Sequence, residues 1–167
     1  MVDPDGRLVH GDFEPSSELG LHLGIYLQHN AGAVVHTHAP ACTAVASVRT
    51  SCRASTTPCS PSAVAVPVAP YATFGSRELA ENVVAALAGR SAVLMASHGA
   101  ITYGSTLAKA YEAMELLGVG LRSLPPDAPP RPSARVLTAE QTEAVVTAAR
   151  EKQYGAPRKG RPPRIKT

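Results

Sequence analysis

The chain has 167 residues, 44% of them hydrophobic and 17% charged, which excludes a disordered polypeptide and suits one domain with its own core. No apolar run approaches the roughly 20 residues of a membrane span, and Met1-Val2-Asp3-Pro4-Asp5-Gly6 has neither the basic nor the apolar stretch of a signal peptide, so a cytoplasmic protein with no membrane partner is expected. The formal charge of +3 comes from Arg158, Lys159, Arg161, Arg164 and Lys166; the body without them is slightly acidic, and no nucleic-acid partner is expected.

Residues 1–15 are rich in turn pairs, among them Asp-Pro and Asp-Gly. Pro15-Ser16-Ser17-Glu18 opens a helical pattern in which Leu19, Leu23, Tyr26 and Leu27 share a face beside His22, and Asn30 and Gly32 end it. Ala33 to His38 reads as a short strand, and residues 41–48 as a short helix. Residues 49–69 show no clear period, apart from a strand from Ala63 to Val68. Gly75-Ser76 caps a helix carrying Leu79, Val83 and Leu87, with Gly89 as its stop. Ser91 to Ala96 is a buried-type strand that runs into Ser97-His98-Gly99. A longer helix covers residues 105–121, and Pro125, Pro126, Pro129, Pro130 and Pro132 stiffen a linker. Thr138 with Gln141 is a capping-box pattern for a last helix that reaches Lys152. Strands and helices alternate, which predicts an α/β class with helices covering a sheet. Residues 1–155 are expected to form the domain and 156–167 a basic, disordered tail.

His36 and His38 carry the strongest chemical signal. Residues i and i+2 of a strand point to the same face, so two imidazoles stand close enough to grip one cation. Zinc in a catalytic site takes three protein ligands as a rule, and His98 is a candidate third. Gly99 after it allows a close backbone approach. Taken alone, such spacing is more often incidental. Glu18 lies in the first turn of a helix, where ordinary capping explains a carboxylate equally well; Ser16 and Ser17 are either caps or anion-binding hydroxyls. The four lysines (Lys109, Lys152, Lys159, Lys166) include none in a buried strand, which disfavours Schiff-base chemistry. The three cysteines are an odd count without a CxxC spacing, so neither a disulfide nor a cysteine zinc site is expected.

Four motifs occur in order: Pro15-Ser16-Ser17-Glu18, Ala33-Val34-Val35-His36-Thr37-His38-Ala39, Ala69-Pro70-Tyr71-Ala72-Thr73-Phe74-Gly75 and Ser97-His98-Gly99-Ala100. Together they resemble the class II aldolase/adducin family, and within it the sugar-phosphate aldolase branch, from about Gly6 to Tyr154. The resemblance implies a three-layer αβα fold with a mainly antiparallel central sheet. It implies His36, His38, His98 and Glu18 as ligands of one zinc ion, with manganese or another divalent metal as an alternative. It further implies Glu18 as an acid/base that leaves the metal during turnover, and Ser16 and Ser17 in a substrate phosphate pocket. Tyr154 matches a C-terminal tyrosine that closes over a neighbouring subunit's site in a homotetramer. The implied reaction is cleavage of a ketose 1-phosphate, of the L-fuculose 1-phosphate kind, to dihydroxyacetone phosphate and an aldehyde such as L-lactaldehyde.

Two departures from the family pattern accompany the match. The usual N-terminal portion, with a Gly-Asn loop for the phosphate, has no counterpart here, so a truncated copy of low activity is one expectation. Residues 53–62 replace an aromatic-His-Tyr stretch that supplies a proton-donating tyrosine. Reading codons for Ala54 to Val66 two bases out of phase permits that stretch, which predicts a compensated frameshift; sequencing the DNA across codons 48–68 checks it. Other readings keep the fold: a pentulose-phosphate 4-epimerase, a sugar-acid dehydratase or decarboxylase, or an inactive adducin-like binding module.

Overall fold

A computed structural model describes residues 1–49, 51–55, 63–122 and 135–154, by their backbone alone at 52–55 and 63–65. The proline-rich linker, the basic tail and the middle of the atypical segment after the HxH strand lie outside the described residues.

In chain order the elements are α1 (Leu19–Gln28), β1 (Ala33–Thr37), α2 (Pro40–Val48), β2 (Ser51–Ser55) and β3 (Ala63–Ala69), followed by α3 (Arg77–Ala86), β4 (Ala92–Met95), β5 (Gly99–Gly104), α4 (Leu107–Arg122) and α5 (Ala139–Glu151). The five strands form one sheet in the order β1-β5-β4-β3-β2. Its pairings are antiparallel except for β3 with β4, whose ends meet at Val68↔Leu94 and Ala69↔Met95. That parallel pair needs a crossover, and α3 supplies it.

The alternation of strand side chains builds a core on each face. Val93, Met95 and Ile101 point toward α1 and α3, where they meet Leu21, Ile25, Leu79, Val83 and Leu87. Leu94 and Ala100 point the other way, onto Cys42 and Ala46 of α2 and Met114, Leu117 and Leu121 of α4. Helices therefore cover both faces of a mostly antiparallel sheet, which is the αβα arrangement expected. Thr102, fully buried in β5, donates its hydroxyl proton to the Ala110 carbonyl at 2.8 Å, tying the sheet to α4 without an unmet polar group.

Two helix caps agree with the sequence. Ser76 Oγ accepts the Leu79 N–H at 3.1 Å, and Thr138 and Gln141 form a reciprocal capping box. The face of α1 differs from the one expected: Leu21 and Ile25 are buried, whereas Tyr26 and Leu27 are exposed. The helix is apolar on nearly every side, so its periodicity does not select a face; packing against α3 does. Two strands were not anticipated. β2 has no alternation to read, and it exists through its ladder with β3. β5 is bounded by Gly99 and Gly104, and it is held between β1 and β4.

Candidate metal centre and its cavity

The sheet order sets the site. β1 and β4 both pair with β5, so the end of β1 and the turn after β4 lie side by side. His36 is in β1, His38 stands just past its end, and His98 occupies the β4–β5 turn. Gly99 permits the approach, for a Cβ there would stand 2.4 Å from the Thr37 carbonyl oxygen and 3.1 Å from the His38 ring.

The three imidazoles converge through their Nε2 atoms. His38 Nε2 is 3.0 Å from His36 Nε2 and 3.0 Å from His98 Nε2. The Nδ1–H of His36 donates to the Ala100 carbonyl at 2.9 Å, which leaves its Nε2 with a free lone pair. His38 Nε2 carries at most one proton and cannot serve both neighbours as a neutral ring. At least one close nitrogen pair thus lacks a bridging proton, and a cation between the rings removes the repulsion. A tetrahedral zinc at about 2.0–2.1 Å from each nitrogen separates its ligands by roughly 3.3–3.4 Å, so the observed spacing is close to what a cation needs. His36, His38 and His98 form a group that can hold a metal ion.

Electrostatics favour the same use. Burial, first of all, pushes His36 down to about 4, with positive charge on His38 and His22 adding to it and the Ala100 bond opposing. Burial likewise takes His98 to about 4, with His36 and His38 contributing. Both rings are neutral near pH 7, the form that ligates metals.

Glu18 precedes α1 as its N-cap residue, yet its side chain makes no cap bond. It is 8% exposed, and its Oε2 has no hydrogen-bond partner. Desolvation raises its carboxyl above the usual range, against the Lys152 ammonium and a backbone hydrogen bond from Gly75. Glu18 stands apart from the three-imidazole group but lines the same cavity of about 310 Å³ as His38 and His98. Tyr71 and Ser97 complete its polar side. The rest of the lining is mostly apolar, with Phe74 and, on or beside α5, Leu137, Val145, Ala149 and Tyr154. The Tyr154 ring packs on Phe74 with centroids 5.4 Å apart, so within one chain it lines the chain's own cavity.

Ser16 and Ser17 stand before α1 and do not line this cavity. Ser16 is exposed, and its Oγ accepts the Glu18 N–H at 3.3 Å. Sequence reasoning assigned no role to Tyr71, Ser97 or Lys152. Tyr71 and Ser97 lie inside the quoted motifs, and that was the available signal. Lys152 gave none, because its relation to Glu18 depends on how α5 packs.

A family model described as Class II Aldolase and Adducin N-terminal domain matches residues 1–121. The L-fuculose phosphate aldolase of Escherichia coli K12 is 41% identical over 112 residues, which cover 66% of this chain and 52% of that protein. The 5-deoxy-D-ribulose 1-phosphate aldolase of Bacillus thuringiensis serovar kurstaki is 35% identical over 116 residues, covering 69% of this chain and 54% of that protein. Among solved structures, an L-fuculose 1-phosphate aldolase superposes with a TM-score of 0.67 at 26% identity, over 87% of this chain and 69% of the other. This chain spans about half the length of these two curated relatives. The matched domain, the curated relatives and the superposed fold agree that the chain belongs to the class II aldolase and adducin family.

Proposed function

We propose that this chain carries the metal-binding and acid/base groups of a zinc-dependent aldolase that cleaves a ketose 1-phosphate of the L-fuculose 1-phosphate kind. The products are dihydroxyacetone phosphate and a short aldehyde such as L-lactaldehyde. The observation that carries the reading is the convergence of three imidazole nitrogens at a cavity also lined by a buried carboxylate whose Oε2 has no hydrogen-bond partner.

Cleavage removes the proton from the hydroxyl next to the breaking carbon–carbon bond and returns a proton to the carbon left on the ketone half. Bound zinc supplies Lewis-acid stabilisation of the negative charge that builds on that half. Glu18 suits the proton transfer, because burial holds its carboxyl above the ordinary range and brings it nearer neutrality. In this reading Glu18 is also the carboxylate that approaches the metal at rest. The Tyr154 hydroxyl, in a residue that lines the same cavity as His38 and His98, acts at the aldehyde end. Ser16 and Ser17, just ahead of α1, bind the phosphate through their hydroxyls. The apolar wall around Phe74 and Ala149 suits an aldehyde ending in a methyl or other small apolar group. A homotetramer that joins active sites between copies, and a cytoplasmic location where sugar phosphates reside, belong to the same reading. Among the described residues no helix is long and apolar enough to cross a membrane.

The test loads the full chain with zinc and supplies L-fuculose 1-phosphate, with dihydroxyacetone phosphate read by a coupled dehydrogenase. Release of the triose phosphate, abolished by chelation and restored by zinc, supports the reading. An epimeric ketose phosphate without triose release transfers the site to epimerase chemistry. A chain that holds no metal at all returns it to a binding module.

A further inference from the structure

Among the described residues, three buried side-chain polar atoms lack any hydrogen-bond partner: Glu18 Oε2, the Tyr71 hydroxyl and Ser97 Oγ. All three residues line the one cavity beside the histidines. A buried hydroxyl without a partner loses its hydration and gains nothing in return. Such groups are rare in native folds, and each one asks for a reason. Three around one cavity share a reason more economically than three separate packing faults would.

Ser97 carries a second, independent irregularity. Its backbone sits at φ +55, in the left-handed region that side chains other than glycine disfavour. Glycine would occupy this turn without that cost, so the serine side chain stands here against the backbone's preference. Tyr71 lines the cavity from the segment between β3 and α3.

We propose that Tyr71 and Ser97 are substrate-binding residues whose hydroxyls receive the oxygen atoms of a polyhydroxylated sugar phosphate held against the three histidines. The inference rests on the aldolase reading and adds two contacts to it. Each hydroxyl both donates and accepts, which matches the hydroxyl and carbonyl groups of a ketose. In the ligand-free fold both hydroxyls are sealed from solvent, so a ligand engages them once each side chain turns into the cavity, and part of its affinity then comes from relieving a fault built into the free protein.

This account separates stability from binding. Tyr71→Phe and Ser97→Ala delete orphaned hydroxyls, and Ser97→Gly also relaxes the left-handed backbone. The melting temperature of the metal-free variants should equal or exceed that of the parent, with Ser97→Gly the highest. Zinc content, measured by mass spectrometry, should be unchanged. Dihydroxyacetone phosphate, titrated calorimetrically into the zinc-loaded protein, should bind about 5- to 10-fold more weakly in each variant. Unchanged binding of this probe overturns the inference and leaves the aldolase reading intact. A fall in melting temperature of more than about 3 °C in both Tyr71→Phe and Ser97→Ala also overturns it, since the hydroxyls would then serve the fold. A zinc-loaded parent that does not bind dihydroxyacetone phosphate sinks the aldolase reading, and this inference with it.

Discussion

His38 is the joint of the metal centre, because its Nε2 is the atom that both other imidazoles approach. His38→Ala should lower zinc affinity more than 100-fold, beyond the roughly 10- to 100-fold lost when only an outer partner of a ligand is removed; equilibrium dialysis measures it. His36 and His98 also make the fold sensitive to acid. Their folded values, about 4, lie below the ordinary 6.5, so the unfolded chain takes up protons that the folded one refuses. Their contribution to stability should be full above about pH 7 and be lost between about pH 6.5 and pH 4, partly offset by Glu18, whose raised carboxyl acts in the opposite sense; melting curves of the metal-free protein across that window check the sign. The sequence offered these histidines openly, because i and i+2 in a strand share a face and His98 follows an apolar run. It did not offer the roles of Ser97 and Tyr71. A left-handed φ and an orphaned hydroxyl are properties of the packed chain, invisible in a one-letter string.

At the level of elements, α5 contributes to the wall of the cavity and is fastened at its end. Lys152 donates to the Gly75 carbonyl at 3.1 Å, and its charge acts on Glu18. Gly75 itself has φ +63, and a Cβ there would come within 2.7 Å of the Ser17 carbonyl oxygen and 2.8 Å of Lys152 Cε. Three segments therefore meet at one residue that has no room for a side chain. Lys152→Met should speed amide hydrogen exchange in α5 several-fold while leaving the strands unchanged, since the clasp is local and the sheet is not. Thr138→Ala should remove the capping box and cost about 1 kcal/mol, visible as faster exchange in the first turn of the same helix. The capping box was legible in advance from two residues at fixed spacing. The docking of α5 was not, because it depends on contacts with residues some sixty to eighty positions earlier, such as the Lys152–Gly75 bond. β2 was missed for a related reason: Ser51-Cys52-Arg53-Ala54-Ser55 has no apolar alternation, and only the neighbouring strand gives it a partner.

For the molecule as a whole, the fold and the metal centre are linked through mass action. At free zinc about 100-fold above its dissociation constant, binding to the folded state alone adds about 2.7 kcal/mol. For a chain of this size that raises the melting temperature by about 5–10 °C, a shift that calorimetry with and without chelator detects. The layered architecture was readable from the alternation of helical and strand patterns, while the strand order was not, since β1 lies at one edge and pairs with the fifth strand. That order has a kinetic consequence. His38 and His98 are 60 positions apart and become neighbours only once β1 has zipped onto β5. A zinc ion seated there acts as a late rivet across a long loop, so its capture during refolding should trail the growth of strand signal and report when the sheet has closed.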